Sequence, residues 1–439
     1  MHVQTDLGKN GGSERHTDVW KFVSLTEPST LAMVLAGGKG SRLYPLTMHR
    51  SKPAVPFGGT CRLIDFALSN LVNSGVNEIY VLTQYKSHSL QRHLQQGWTF
   101  NHPMNGYLLM PVPPQMRGRD TWYLGTADAV CQNIGIIQNK NPNLVLVFGS
   151  DHVYSMNVRT MIQEHLSKQS DVTIAAIPMP ISQCAMFGTM SVDRNGRVIG
   201  FQEKVKNPAS IHNQLGLALV SMGNYIFDPK VLVEELEADA ADENSTHDFG
   251  KDILPKIFEK RRVYVYDFRQ NELPGIEVSM AYWRDVGTIQ SYYQANMDLI
   301  NPLSHMSLNN SLWPIRSVKY NGMPLKVTES LSGRAGCIEN SIIGGSVVIA
   351  GGYVKNSVLG NNVLIEAGAE VRDSVILGNA VIKEGARIRK MIIDHGNVIE
   401  ANDNIGFDLY SDRKRFFVDP SGIVVLPHKQ NNSISQIYA

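Results

Sequence analysis

The chain has 439 residues, and its 18% charged and 43% hydrophobic residues suit a compact folded protein rather than a disordered chain. Lysine and arginine total 41 against 40 aspartates and glutamates, and this net charge of +1 argues against nucleic acid as a general partner. No apolar run reaches the ~20 residues of a membrane span, and the N-terminus shows no signal or transit pattern. We therefore expect a cytoplasmic protein without nucleic-acid or membrane partners, whose four widely spaced cysteines are reduced thiols.

The first two thirds of the chain alternate strand and helix patterns. Residues 1–30 are polar and without periodicity, which predicts a flexible extension. Apolar runs at 31–36, 79–83 and 144–148 predict buried strands, and helical patterns at 63–72 and 126–137 separate them. The segment 171–290 mixes helices with shorter, antiparallel strands. We predict one α/β domain with a mixed, mostly parallel sheet over residues 31–300.

The last quarter of the chain is repetitive. Residues 301–330 are rich in Asn, Ser, Pro and Gly and predict a linker. From Tyr353 the sequence repeats every six residues for six hexads, with a small or branched residue at the fifth place in five of them. Hexapeptide periodicity is typical of a parallel β-helix, in which three hexads make one coil. Ser357 and Ser374 are therefore predicted to lie one coil apart, and residues 331–439 to form the β-helix domain.

A glycine-rich loop follows the first predicted strand. Gly37, Gly38 and Gly40 would let the backbone approach a polyphosphate, whose oxygens the N–H groups could bind. Arg42 and Lys52 add positive charge that suits a phosphate chain. The spacing matches neither the Walker A motif nor the dinucleotide fingerprint.

The loop carries a family resemblance. Its sequence is LAGGKGSRLYPLTMHRSKP, and this resembles the signature of sugar-nucleotide pyrophosphorylases. Further segments, among them GSDHVY, EKVKNP and HDFGKDILP, extend the match in order over about residues 31–425. Within that family, these segments resemble the ADP-glucose pyrophosphorylases. The resemblance implies a Rossmann-like nucleotidyltransferase domain followed by a left-handed parallel β-helix. It also implies Mg²⁺-dependent transfer of AMP from ATP to glucose 1-phosphate for glycogen or starch synthesis, allosteric control, and a homotetramer or heterotetramer.

Two aspartates stand at breaks between predicted elements. Asp151 ends a buried strand, and Asp285 precedes a helix that Thr288 is predicted to cap. One or two carboxylates with substrate phosphates commonly hold Mg²⁺, although a lone aspartate of this kind is more often a turn or capping residue. The resemblance assigns both as metal ligands and leaves His152 a structural role.

The resemblance also assigns the remaining site residues. Those predicted to be catalytic are Arg42, Lys52, Asp151, Lys204 and Asp285. Those predicted to bind ATP are Gly37, Gly38, Arg42, Lys52, Gln84, Tyr123, Gly125, Thr126 and Asp128. Those predicted to bind glucose 1-phosphate are Gly188, Glu203, Lys204, Ser221, Asp248, Phe249 and Trp283. From the residues alone, Thr126 would be a helix N-cap, and the two aromatics would more often belong to a core.

A regulatory site is expected from the resemblance. His49 stands where several family members carry a lysine, beside Arg50, and the predicted effector ligands are these two with Arg413 and Arg415. The effectors would be sugar phosphates or inorganic phosphate. A solvated surface run explains the C-terminal basic group equally well.

Three alternative functions stay open at this point. A regulatory subunit without activity is disfavoured because all five predicted catalytic residues are present. A pyrophosphorylase for another nucleotide sugar would keep the same chemistry. An acyltransferase site in the β-helix is disfavoured because His395 is the one histidine within residues 337–425.

Overall fold

The computed structural model describes residues 28–98, 108–114, 122–212, 214–276, 281–302, 304 and 306–429. The predicted N-terminal extension lies almost entirely outside these residues. Within them, none of the helices combines the length and the apolar character needed to cross a bilayer.

The first domain is built on a nine-stranded sheet. Its strands and the short strands beside them are β1 (Thr30–Ala36), β2 (Pro56–Phe57), β3 (Cys61–Arg62), β4 (Glu78–Thr83), β5 (Leu108–Val112), β6 (Leu144–Gly149), β7 (His152–Tyr154), β8 (Val172–Pro180), β9 (Gly188–Val192), β10 (Val198–Glu203), β11 (Leu217–Phe227), β12 (Val263–Asp267) and β13 (Trp283–Asp285).

The strand order places β1 at the centre. The main path runs β10-β9-β11-β6-β1-β4-β5, with β8 pairing to β11 and β12. Strands β6, β1, β4 and β5 are mutually parallel, whereas β11 pairs antiparallel to β6, β8 and β9. The prediction of a mixed, mostly parallel sheet with antiparallel strands after residue 171 is confirmed.

Helices cover both faces of this sheet. They are α1 (Leu63–Asn73), α2 (His88–Gly97), α3 (Thr126–Cys131), α4 (Ile134–Lys140), α5 (Val158–Ser167), α6 (Pro229–Ala240), α7 (Leu254–Ile257) and α8 (Ile289–Asp298). Side chains of β1 alternate between the two layers: Leu31 and Met33 pack on one face, and Ala32 and Val34 on the other. Such continuous apolar strands are typical of a sheet that is buried on both faces.

The predicted helix over 126–137 is wrong in one respect. The chain forms two helices, α3 and α4, separated at Gln132 and Asn133. The Asn133 amide donates to the Ala129 carbonyl and to the Tyr123 hydroxyl, so this buried side chain competes with continuation of the helix.

The second domain is a parallel β-helix with three faces. Its elements are β14 (Lys326–Thr328), β15 (Cys337–Glu339), β16 (Ile342–Ile343), β17 (Val348–Ala350), β18 (Tyr353–Lys355), β19 (Val358–Leu359), β20 (Val363–Ile365), β21 (Glu370–Arg372), β22 (Val375–Ile376), β23 (Ala380–Ile382), β24 (Arg387–Arg389), β25 (Met391–Ile393), β26 (Val398–Ile399), β27 (Asn404–Ile405), α9 (Leu409–Asp412), β28 (Phe417–Val418) and β29 (Val424–Leu426).

Successive coils are in register, as the hexads predict. Val371 of β21 lies between Val354 and Ile388 of the neighbouring coils. Ser374 lies directly over Ser357, because its N–H donates to the Ser357 hydroxyl at 3.2 Å. The first strand, β14, falls within the segment predicted as linker, so the β-helix begins a few residues before the predicted boundary at 331 and more than one coil before the first hexad at Tyr353. The left-handed sense of the β-helix stays a prediction.

The two domains share an apolar layer and a buried ion pair. Phe57 and Tyr292 from the first domain belong to the same buried cluster as Val375 and Ile392 from the β-helix. Beside them, one terminal nitrogen of Arg50 lies 2.8 and 2.7 Å from the two carboxylate oxygens of Asp394. The β-helix is therefore packed against the segment that follows the phosphate loop.

Candidate active site

A cavity of about 930 Å³ opens where three parallel strands end. Its lining includes Gly37 after β1, Gln84 after β4 and Asp151 after β6. In open α/β sheets, ligands bind beyond the carboxyl ends of the strands, so the topology itself accounts for the position.

The glycine-rich loop forms one wall of the cavity. Gly40 has a φ of 62°, and a Cβ at this position would lie 2.7 Å from the Lys52 Cβ. Glycine is therefore required both for the backbone conformation and for the close approach of Lys52. The Thr47 hydroxyl donates to the Gly40 carbonyl at 3.0 Å and holds the loop closed. Arg42 lies in the 3₁₀ turn Ser41–Leu43 and lines the cavity, as predicted.

Lys52 joins the two predicted metal-binding aspartates. Its ammonium lies 2.9 Å from an Asp151 oxygen and 3.1 Å from an Asp285 oxygen. The pairing of β13 with β7, in which Asp285 is opposite His152, brings these carboxylates together across 134 residues of sequence. Sequence distance gave no indication of this contact, which the antiparallel register produces.

Asp151 and Lys52 stabilise each other's charged forms. Burial opposes ionisation of Asp151, but the Lys52 ammonium and the neighbouring His152 outweigh it and keep the Asp151 pKa well below its usual range. Burial likewise opposes the charge of Lys52, and the two aspartates raise its pKa above the ordinary value. Two carboxylates and one ammonium leave a negative balance directed at the cavity, where Asp151 is 38% exposed.

The donor set fits a divalent cation. One ligand atom from each of Asp151, His152 and Asp285 lies within 4.8 Å of the others. Mg²⁺ in proteins is usually held by one or two carboxylates together with substrate oxygens. Here Asp151 lines the cavity, and Asp285 is joined to it through Lys52. The prediction that Asp151 and Asp285 hold the metal is therefore compatible with the arrangement.

Six of the seven predicted sugar residues line the cavity and form what we call the sugar wall: Gly188, Glu203, Lys204, Ser221, Asp248 and Phe249. Glu203 is the last residue of β10, and the ammonium of the next residue, Lys204, lies 2.5 Å from a Glu203 oxygen. Lys204 has a φ of 53°, and its backbone N–H donates to the Phe187 carbonyl. Gly188 leaves the room for this arrangement, because a Cβ there would lie 2.7 Å from a Glu203 oxygen.

Asp248 and Thr126 connect the sugar wall to the nucleotide wall. One Asp248 oxygen accepts from the N–H groups of Gly250 and Lys251, and the other accepts from the Thr126 hydroxyl at 3.0 Å. The Phe249 N–H donates to the same hydroxyl at 2.9 Å. Thr126 is thus not the N-cap of α3, which is Gly125.

Gln84 and Tyr123 lie together, as the ATP prediction requires. The Gln84 amide donates to the Tyr123 carbonyl at 3.2 Å and packs against Gly37. Asp128 differs from the prediction, because it is absent from the described cavity lining. Its carboxylate accepts from the Leu124 N–H and the Gln132 amide, so it fixes the turn before α3.

Tyr225 lines the cavity but was not predicted from the sequence. Tyr225 reaches the cavity from β11, where its ring packs against Phe249. Burial raises the pKa of its hydroxyl, which is therefore a neutral donor at physiological pH. Strand alternation from Ser221 could have indicated Tyr225, but β11 is irregular between these residues. Trp283, predicted to line the sugar pocket, lies behind it against His152 and Phe187.

The predicted effector residues separate into two groups. His49 lies at the domain junction, its ring 5.9 Å from that of His428. Arg50 is 8% exposed, and its ion pair with Asp394 joins the two domains. Its guanidinium is therefore not open to an effector in this structure, unlike the prediction. Arg415 instead pairs with Asp403 within the β-helix, and Arg413 is exposed at the end of α9.

Comparison with known proteins agrees with this geometry. Residues 31–301 match the family model of nucleotidyl transferases, and residues 323–426 match that of the GlmU-like C-terminal hexapeptide domain. The chain is a nucleotidyltransferase with an appended hexapeptide β-helix.

Curated relatives narrow the family further. A glucose-1-phosphate adenylyltransferase of Thermus thermophilus is 48% identical over 409 residues, 92% of this chain and 99% of its own length. Those of Aliivibrio fischeri and Thermodesulfovibrio yellowstonii are 47% and 43% identical, over 90% and 93% of this chain and 97% and 99% of their own. The chain belongs to the glucose-1-phosphate adenylyltransferase family.

Proposed function

We propose that the protein transfers AMP from ATP to α-D-glucose 1-phosphate and releases pyrophosphate. The observation that supports this most directly is the contact of Lys52 with both Asp151 and Asp285, at a cavity that Glu203 and Lys204 also line. One wall suits a triphosphate and the other a phosphorylated sugar. The similarity to enzymes named for this reaction supports the choice of substrates.

The proposed step is an in-line displacement. A phosphate oxygen of glucose 1-phosphate attacks the α-phosphorus of ATP, and the bond to the β-phosphate oxygen breaks as pyrophosphate leaves. No residue needs to form a covalent bond, so the residues act by positioning and by charge stabilisation. Bound Mg²⁺ would neutralise the charge that develops on the reacting phosphates.

Each charged residue has a role that follows from its place. Arg42 lies in the loop and would bind the leaving pyrophosphate. Lys52, held between the two aspartates, would contact the triphosphate. Lys204 is 55% exposed and lies at the sugar wall, where it would orient the attacking phosphate.

Pyrophosphate release tests the proposal. The purified chain is assayed with Mg²⁺ and glucose 1-phosphate against ATP, UTP, dTTP and GTP. We expect turnover with ATP, and a loss of about 10²–10³-fold in Lys204→Ala and Asp151→Ala. Lys168→Ala, which removes a lysine paired with Glu164 away from the cavity, is the matched control. Turnover with UTP instead would favour another nucleotide sugar, and silence with every nucleotide and activator would favour a regulatory subunit.

We also propose that the domain junction binds an anionic effector. Burial lowers the pKa of Arg62 to about 10, with a further contribution from the nearby cations Arg50 and Arg92. Asp65 and Asp394 act in the opposite direction. His49 and His428 lie at the same junction.

Titration with inorganic phosphate and with a sugar bisphosphate tests the effector site. We expect saturable activation or inhibition of turnover. His49→Ala and Arg92→Ala should weaken this response. Arg413→Ala should leave it unchanged, as for a residue of a solvated surface group. A loss in Arg413→Ala alone would move the site to the end of the β-helix. The tetramer implied by the family is a separate prediction that sedimentation equilibrium checks.

A further inference from the structure

His247 has a left-handed backbone beside the active site. Its φ is 56°, a region that is uncommon for residues other than glycine, although asparagine, aspartate and histidine adopt it more often than most. Three contacts hold it there. Its Nδ1 lies 2.8 Å from Asp239, its N–H donates to the Ser245 hydroxyl at 2.9 Å, and that hydroxyl donates to Asp239 at 2.6 Å.

In this conformation the His247 carbonyl faces the nucleotide wall, at the start of α3. The His247 carbonyl accepts from the Ala127 N–H at 2.8 Å and lies 3.4 Å from the Asp128 nitrogen, so it binds the first turn of α3. Gly125 must be glycine for this approach, because a Cβ there would lie 2.1 Å from the His247 oxygen.

The residue after His247 turns towards the sugar wall. Asp248 is held from behind, because its N–H donates to Asp252 at 3.1 Å. Its carboxylate then accepts from Thr126, and the Phe249 N–H donates to Thr126 in return. The peptide unit between His247 and Asp248 thus links the first turn of α3, which begins at Thr126, to the segment that carries Asp248 and Phe249.

We propose that His247 is a positioning residue that keeps the nucleotide half and the sugar half of the active site in register. It is not among the described residues that line the cavity, and it acts through its left-handed backbone and its contact to Asp239. Small misplacements of reacting groups cost far more in rate than in stability, so a residue of this kind controls turnover. The inference rests on the proposed function, because it assumes that the two walls bind the two substrates.

Three variants separate backbone conformation from general stability. His247→Val places a β-branched residue in the left-handed region, which disfavours the observed φ. His247→Asn keeps a polar side chain that tolerates this region. Gln169→Val is the matched control, since Gln169 also has a left-handed φ of 48° but lies exposed after α5.

We expect His247→Val to weaken the binding of both ATP and glucose 1-phosphate in calorimetric titrations and to lower kcat/KM by about 10–100-fold. His247→Asn should restore most of both. Gln169→Val should lower the melting temperature by a similar amount without changing either affinity. All measurements are made well below the melting temperature, so that only folded protein contributes.

Three outcomes are distinguishable. If the wild-type protein binds both substrates and His247→Val binds them equally well, the inference is wrong and the proposed function stands. Equal losses in His247→Val and Gln169→Val would likewise reduce His247 to a structural residue. If the wild-type protein binds neither substrate, the proposed function itself fails.

Discussion

The two domains place their left-handed residues in different ways. In the β-helix, most of the described non-glycine residues with positive φ are asparagines or an aspartate, at the corners of the coils: Asn340, Asn356, Asn362, Asp373, Asn379 and Asn402. These residues tolerate the conformation, and neighbouring ones bond to each other, as Asn362 does to Asn379 at 2.8 Å. In the first domain, Lys204 and His247 adopt it beside the cavity instead.

The difference shows where each domain accepts strain. The repeat uses side chains suited to its corners, so its geometry costs little and recurs. In the first domain, Lys204 and His247 hold this conformation next to the cavity, where surrounding hydrogen bonds maintain them, whereas Gln169 holds it at the surface.

The largest expected effect concerns the contact between the two domains. Arg50→Ala leaves Asp394 buried without its partner, and we expect a loss of about 3–5 kcal/mol in the free energy of unfolding. Arg415→Ala removes a more exposed ion pair within the β-helix, and its expected cost is below about 1 kcal/mol. Urea unfolding of both variants checks this. Equal losses would mean that the junction pair is no more important than a surface pair.

Asp285→Asn should affect the catalytic domain alone. It removes one charge facing Lys52 and one predicted metal ligand, so we expect kcat to fall by about 10²–10³-fold. The control is Asp403→Asn, which removes a carboxylate from the β-helix and should leave kcat unchanged. A large rate loss in the control would show that the β-helix contributes directly to turnover.

Acid should weaken the junction between the two domains. Burial opposes ionisation of Asp394, but Arg50 and His395 outweigh it and hold the Asp394 pKa well below its ordinary value. A depressed pKa in the folded state stabilises the protein above the unfolded value of about 4 and loses that contribution as pH falls further, by at most about 1.4 kcal/mol per pH unit.

The unfolding free energies of wild type and Asp394→Asn, measured at pH 7 and pH 3, test this. We expect the difference between the two proteins to shrink at pH 3, because the wild-type carboxyl then loses its advantage. A constant difference would show that the charge of Asp394 does not stabilise the junction.

The smallest expected effect is at a corner of the β-helix. Asn379→Val puts a β-branched side chain at a φ of 46° and should cost about 1–2 kcal/mol of stability. Asn379→Gly should cost less, and neither should change kcat, in contrast to His247→Val. A change in kcat would contradict the separation between the two domains, which activity and melting temperature measured together would reveal.

Local pattern determined most of the fold. Continuous apolar runs predicted the parallel strands correctly, because strands buried on both faces need no alternation. The hexads predicted the coils, and Ser357 under Ser374 confirms their spacing. Each of these signals is contained within a few neighbouring residues.

The assembly of the site required the tertiary structure. Motif resemblance named Lys52, Asp151 and Asp285, but their contact depends on the register of β7 with β13, which no local pattern encodes. Arg50 appeared as an effector ligand in the sequence, and only packing of the β-helix revealed Asp394 as its partner. The conformation of His247 likewise depends on hydrogen bonds to residues on other elements. Local propensities depend on neighbouring residues and can be predicted from the sequence. Distances between charged groups that are remote in sequence are set only when the elements pack together.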